Sequence, residues 1–222
     1  MAIGASGATR RIADRYLLGE RLGAGGMAVV YRATDEVLGR EVAVKLFGAV
    51  VDADHPERIE TEMRTIASLS HPGLVSVHDA GTYQQPGGEA QAFLVMELID
   101  GPTLAECTTP DPLGPDRVRE IGACIADAIA YMHSRGVVHR DIKPANIILD
   151  AAGNPHLTDF GVARTLGADR HTATGMTIGT AAYLSPEQVT GGELTPAVDI
   201  YALGLTLLEA MTGRREYPRV DS

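Results

Sequence analysis

His139-Arg140-Asp141-Ile142-Lys143-Pro144-Ala145-Asn146, with Asp159-Phe160-Gly161 further on, constrains this chain more than any other stretch. A carboxylate, an ammonium and a carboxamide fall within six positions, and a second carboxylate follows beyond a short hydrophobic stretch. Phosphoryl transfer from a metal-bound nucleotide calls for such groups: a base for the acceptor hydroxyl, a positive charge near the moving phosphoryl group, and hard oxygen ligands for magnesium. Chance assembly of both elements in this order is very rare.

At 222 residues the chain can bury a core as one large or two small domains. Hydrophobic residues at 45% and charged residues at 22% are ordinary for a soluble globular protein. A net charge of -10 argues against nucleic acid as a partner, since a phosphate polyanion is repelled overall, but leaves room for a local basic cleft. No apolar run approaches the roughly 20 residues that span a bilayer. Met1 to Arg11 lacks the apolar centre of a secretory signal. Residues 1–14 therefore read as a flexible lead-in and the location as cytoplasmic. Cys107 and Cys124 follow no disulfide or metal spacing and read as packing residues in a reducing compartment.

Tyr16-Leu17-Leu18, Val29 to Ala33 and Glu41 to Leu46 have strand character, with Gly39-Arg40 as a turn, so a twisted antiparallel sheet is expected. Leu22-Gly23-Ala24-Gly25-Gly26-Met27-Ala28 falls at the first turn, where glycines let backbone N–H groups approach phosphate oxygens. Alone, it equally suits a hairpin with no ligand. Strand alternation puts Val42 and Val44 on one face, and Ala43 and Lys45 on the other. A lysine facing a cleft needs an anionic partner to keep its proton; without the glycine loop upstream it reads as a solvent-facing edge residue. Pro56 to Ser70 has helical apolar spacing through Ile59, Met63, Ile66 and Leu69, stops at His71-Pro72-Gly73, and offers both Glu60 and Glu62 as partners for Lys45. Val75 to Ala80 and Ala92 to Leu98 read as two further strands around the turn Gln84 to Gly88. Met96 to Gly101 reads as a connector.

Pro115 to Ser134 is an amphipathic helix with Val118, Ile121, Ile125, Ile129 and Met132 on one face, ended by Gly136. Between Gly161 and Gly179 lies a polar, threonine-rich segment that suits either a surface loop or a site of regulatory phosphorylation. Leu203 to Met211 is a strongly apolar helix.

The run around Asp141 and the turn at Asp159 resemble the catalytic loop and metal-binding turn of protein kinases. Gly25-Gly26-Met27 and Gly179-Thr180-Ala181-Ala182-Tyr183-Leu184-Ser185-Pro186-Glu187-Gln188 are similar to bacterial eukaryotic-like serine/threonine kinases, and the resemblance covers about residues 15 to 213. It implies an α+β, bilobal fold: an N-lobe of antiparallel sheet plus one helix (15–96), a hinge (97–101), and a mostly helical, partial C-lobe (102–222). It implies ATP as cofactor with Mg2+, or Mn2+ in its place. The nucleotide would lie among Leu22, Gly23, Ala24, Gly25, Gly26, Met27, Val30, Ala43, Lys45, Met96, Glu97, Ile99 and Ile148. Ala28, where a third glycine is usual, implies a stiffer lid if its φ stays negative.

The same resemblance selects Glu62 over Glu60 as the partner of Lys45. It makes Asp141 the residue that orients the acceptor hydroxyl, Lys143 the cation on the γ-phosphoryl group, and Asn146 and Asp159 the metal ligands. A carboxylate of ordinary pKa is a poor bulk base, so positioning and electrostatics should dominate. Thr180 would bridge Asp141 and Lys143 and, with Lys143, points to serine/threonine rather than tyrosine acceptors. Thr172 and Thr174, with Thr177 behind them, would be phosphorylated by self-association of two copies and face Arg140. His139 and Phe160 should stack with Ile66 and Val77 as an apolar spine anchored by Asp199.

The resemblance further implies helices beyond Met211 and an arginine there for Glu187, so the chain reads as a catalytic domain incomplete at its C-terminal end. Three functions are then compatible. The first is a kinase acting on protein substrates. The second is a small-molecule phosphotransferase, which the Ser-Pro-Glu segment disfavours because it suits a peptide platform. The third is a truncated, weakly active or inactive nucleotide-binding module, against which the intact Lys45, Glu62, Asp141, Asn146 and Asp159 stand.

Overall fold

The computed structural model of the chain describes residues 10–25, 28–48, 63–85, 90–160 and 181–217. Six strands, β1 (Arg11–Ile12), β2 (Tyr16–Ala24), β3 (Ala28–Asp35), β4 (Arg40–Phe47), β5 (Val77–Gln84) and β6 (Ala90–Met96), form the first lobe's sheet. Their order is β1-β2-β3-β4-β6-β5, with every neighbour antiparallel. The helices are α1 (63–67), α2 (Leu104–Cys107), α3 (Pro115–Ser134), α4 (Pro186–Thr190) and α5 (Ala197–Thr212). A two-stranded ribbon, β7 (Ile147–Leu149) and β8 (Pro155–Leu157), lies between them in sequence.

Alternation along β4 sorts two faces, as its sequence predicts. Val42, Val44 and Leu46 pack with Ile12, Tyr16, Phe93 and Val95 on the outer face. Ala43 and Phe47 join Leu94, Met96, Met63 and Ile66 on the inner face, in a core that continues through Ile121, Ile125 and Ile129 of α3. Each such buried aliphatic contributes about 1.5–3 kcal/mol. Lys45 shares the inner face with Ala43, opposite Val30 of β3 and Leu94 of β6.

Helix α3 begins with Pro115 at its first position, and Val118, Ile121, Ile125, Ile129 and Met132 are all buried. It ends in a Schellman turn: Gly136, at φ +74, donates its N–H to His133 C=O at 3.0 Å, and Val137 N–H reaches Met132 C=O at 3.0 Å. Backbone bonds tie the lobes. Val75 N–H donates to Leu157 C=O at 3.0 Å, and Leu157 N–H to Gly73 C=O at 2.8 Å. At the end of the connector a Cβ on Gly101 would lie 1.8 Å from the Leu149 carbonyl oxygen, so only glycine fits there.

Three boundaries depart from the sequence reading. β5 starts at Val77 because Val75 and Ser76 are already bonded to Leu157 and Glu97, and it runs on to Gln84 in the hairpin with β6. β6 spans Ala90–Met96 rather than Ala92 to Leu98 because pairing, not burial, sets its start at Gln84↔Ala90. β1 lies inside the stretch expected to be a flexible lead-in: Ile12 is fully buried on the outer face of the sheet, in a two-residue strand too short to leave a periodic signal.

Candidate active site

The first lobe supplies the roof. Leu22, Gly23 and Ala24 end β2, and the hairpin closes through Gly25 N–H to Ala28 C=O at 2.9 Å. Ala28 is not among the residues with left-handed backbone, so it serves the turn without glycine. Val30, Ala43 and Met96 lie on the inner face around Lys45. Glu97 gives its N–H to Ser76 C=O at 2.8 Å, and Ile99 packs on the same core. Below, Ile148 projects from β7 on the face opposite Ile147 and Leu149 and bridges to Thr103.

The run around Asp141 is held from beneath. Asp199, at the start of α5 and 1% exposed, accepts the N–H groups of His139 (2.8 Å) and Arg140 (2.7 Å) and contacts His133 Nε2 at 2.8 Å. His139 is fully buried, and burial holds its pKa below the ordinary value, so the ring is neutral. Its Nδ1 accepts Asp141 N–H at 3.3 Å, which places the proton on Nε2, 3.0 Å from Thr158 C=O. Its ring centroid lies 5.8 Å from that of Phe160, and Phe160, Ile66 and Val77 share one core. The expected His139–Phe160 contact and the Asp199 anchor are thus present, with Ile66 and Val77 in the same core.

On this base the functional groups converge. Lys143 Nζ is 2.9 Å from Asp141 Oδ2, and Asn146 Nδ2 donates to the same oxygen at 2.9 Å and to Asp141 C=O at 2.7 Å. Asp141 Oδ1 is buried with no hydrogen-bond partner among the described residues. Across the cleft, Lys45 Nζ meets Asp159 Oδ1 at 2.9 Å. Burial pushes the Asp159 carboxyl up, but the charge and hydrogen bond of Lys45, with the charge of Lys143, outweigh it and leave the group below its ordinary value. Arg140 and Asp159 both have left-handed backbone, at φ +66 and +64. The donor set fits a hard cation: Asn146 uses its amide nitrogen internally and keeps its carbonyl oxygen, while Asp159 keeps one carboxylate oxygen. Magnesium commonly takes one or two such protein oxygens and completes its shell with phosphate and water.

Residues 16–222 match the protein kinase domain model. The chain belongs to the protein kinase family. Among its relatives, this kinase is 43% identical over 208 residues to serine/threonine-protein kinase PrkC of Bacillus subtilis, covering 92% of this chain and 31% of that protein. It is 40% identical over 209 residues to serine/threonine-protein kinase PknA of Mycobacterium tuberculosis, covering 93% and 48% respectively. The chain thus spans about a third to a half of the length of the curated relatives it matches. The crystal structure of the Mycobacterium tuberculosis PknI kinase domain superposes with a TM-score of 0.76 at 26% identity, over 98% of this chain and 82% of that one. Among the described residues, no helix of the kinase is long and apolar enough to cross a membrane.

Lys45, Asp141, Lys143, Asn146 and Asp159 are brought into one cleft. Gly26, Met27, Glu62, Thr172, Thr174, Thr177 and Thr180 lie outside the described residues. The contact seen at Lys45 is with Asp159, which its sequence does not announce because it depends on how the lobes close. His133 was also missed: a histidine at a helix end carries no signal until α5 brings Asp199 against it. Glu187 is partly exposed and has no ion pair among the described residues. Tyr183 instead bonds Glu209 of α5, which Arg215 Nε also reaches at 3.3 Å.

Proposed function

We propose that this kinase transfers the γ-phosphoryl group of ATP to serine and threonine hydroxyls of proteins, working as an N-lobe (15–96), a hinge (97–101) and a C-lobe (102–222). The observation that carries the reading is Asp141: one oxygen is held by Lys143 and Asn146, and the other is buried with no hydrogen-bond partner among the described residues, an acceptor left over for a hydroxyl. An unpaired buried oxygen costs about 1–3 kcal/mol, a cost a substrate hydroxyl would relieve.

In this reading Lys45, oriented by Glu62, binds the α- and β-phosphates. Asp141 Oδ1 orients the acceptor hydroxyl and takes its proton as the hydroxyl oxygen bonds to phosphorus and the ADP oxygen leaves. Lys143 neutralises charge on the phosphoryl oxygens, with Thr180 bridging it to Asp141. Asn146 and Asp159 would hold Mg2+ or Mn2+, which would shield the phosphate charge when bound. The serine/threonine choice rests on Lys143 and on the names of the relatives. Thr172 and Thr174 are the proposed sites of autophosphorylation between two copies of the chain.

Labelled-phosphate transfer from ATP to the chain itself and to a generic basic protein tests this. Asp141→Asn should lower transfer by about 100-fold or more while nucleotide still binds. Asp159→Asn should weaken metal-dependent nucleotide binding more than Asp141→Asn does. Transfer by Asp141→Asn at the parent rate overturns the assignment, and phosphate found by mass spectrometry only in residues 1–11 removes the activation-loop part.

A further inference from the structure

We infer that Gln188 is a positioning residue for the transfer reaction: its side-chain amide clasps the peptide platform to the catalytic loop. The inference rests on the kinase reading above for what the clasp does, and on geometry alone for its existence.

Gln188 is the third residue of α4, whose N-cap is Ser185. Its Oε1 accepts Ser185 N–H at 3.0 Å, the backward half of a capping box. Its Nε2 points away from the helix and donates to the Arg140 carbonyl at 3.3 Å. The reverse amide orientation would set Nε2 against an N–H and Oε1 against a carbonyl, so the two partners fix the assignment.

Arg140 is where such a hold matters. Its φ of +66 lies in the left-handed region, which residues other than Gly, Asn and Asp avoid. Asp199 Oδ1 fixes its N–H side at 2.7 Å, and Gln188 fixes its carbonyl side. That carbonyl belongs to the peptide plane whose N–H is that of Asp141, the group that donates to His139 Nδ1 at 3.3 Å. Gln188 therefore acts through this plane on the orientation of the Asp141 carboxylate.

The identity of the side chain supports the second bond. A capping box accepts glutamate as readily as glutamine, and glutamate at this position would also suit the helix dipole. Only glutamine can cap Ser185 and donate to a carbonyl at once. Helix α4 opens with the Ser185-Pro186-Glu187 segment read as suiting a peptide platform, so the bond links the part that would hold the acceptor to the part that would activate it.

Gln188→Glu separates the two roles, because the carboxylate keeps the cap and loses the donor. Its melting temperature should stay near the parent's. Peptide-transfer kcat should fall about 3- to 10-fold, as expected for one lost hydrogen bond with a carboxylate set against a carbonyl. KM for ATP should hold within about twofold, since the roof of the cleft is untouched. Hydrogen exchange in the full chain, followed on peptides covering residues 137–146, should quicken in the variant. Exchange and kcat both at parent values would overturn the clasp, as would a lowered melting temperature with kcat per folded molecule unchanged. If the parent and Asp141→Asn are equally silent the kinase reading fails, and the exchange measurement still decides the clasp.

Discussion

The outer face of the sheet and the cleft beneath it use carboxylates to opposite ends. On the outer face Arg15 grips Asp35 with two parallel bonds, Nε to Oδ1 at 2.8 Å and Nη2 to Oδ2 at 2.7 Å. The N–H groups of Val37 and Leu38 donate to the same carboxylate at 3.2 and 3.3 Å, and the Tyr16 hydroxyl donates a hydrogen bond to Asp79 Oδ2 at 2.5 Å. The hydrogen bond and charge of Arg15 hold the Asp35 carboxyl down at about 2. All of these partners come from the sheet itself and its turns. In the cleft, Asp159 is paired across the lobes with Lys45, and Asp141 keeps a buried oxygen with no hydrogen-bond partner among the described residues. A carboxylate fully satisfied within one sheet stabilises that sheet; one left part-satisfied between lobes keeps acceptor capacity to spare.

The comparison breaks most visibly at Lys45. Lys45→Met should lower phosphate transfer by about 100-fold or more with the melting temperature little changed, because the ammonium serves the cleft rather than the core. The Asp159 carboxyl should titrate higher in this variant, as the charge and bond that offset its burial are gone; NMR titration of the Asp159 side chain checks the direction. Transfer at the parent rate would remove Lys45 from the site.

The mirror variant is Asp35→Asn. It should cost about 1.5–3 kcal/mol, the range for hydrogen bonds to a charged partner, and leave kcat per folded molecule unaltered. The pH dependence sharpens the point. A carboxyl held below its ordinary value of 3.8 contributes stability that is fully present above that value and is lost as pH falls through about 2. The stability gap between parent and Asp35→Asn should therefore be constant above about pH 4 and close between roughly pH 4 and 2. Denaturant melts across that range measure it, and a gap that survives at pH 2 would assign the loss to packing.

How much of this was legible in sequence divides along the same line. The apolar period of α3 and the alternation of β4 fix elements by local rules, and the structure follows both. The cleft residues were legible because Asp141, Lys143 and Asn146 lie within one short run, so their spacing survives without a fold. What escaped needs two distant segments at once. The fork of Arg15 onto Asp35 joins a residue before β2 to the end of β3. His133 reaches Asp199 only when α5 docks on α3, and Gln188 reaches the Arg140 carbonyl only once α4 is placed beside it. Hydrogen bonds between side chains on separate elements carry no periodicity, so no pattern in the chain announces them.

The smallest effect is expected where the two regions meet. Arg32 of β3 pairs with Asp100 in the connector at 2.6 Å, and also with Glu41 at 3.1 Å and Glu20 at 3.3 Å. This ties the sheet to the segment between the lobes, so it resembles the cleft in reach and the outer face in having its charges answered. Solvent decides which it follows. The Asp100 side chain is 71% exposed, so water already satisfies it and screens the attraction, and Arg32 keeps two other carboxylates when Asp100 is neutralised. Asp100→Asn should shift stability by less than about 1 kcal/mol, the shift should shrink further in 0.5–1 M salt, and KM for ATP should stay within about twofold. A change in kcat of fivefold or more, undiminished by salt, would show instead that the pair governs how the lobes close and would move Arg32 from the stabilising set to the cleft.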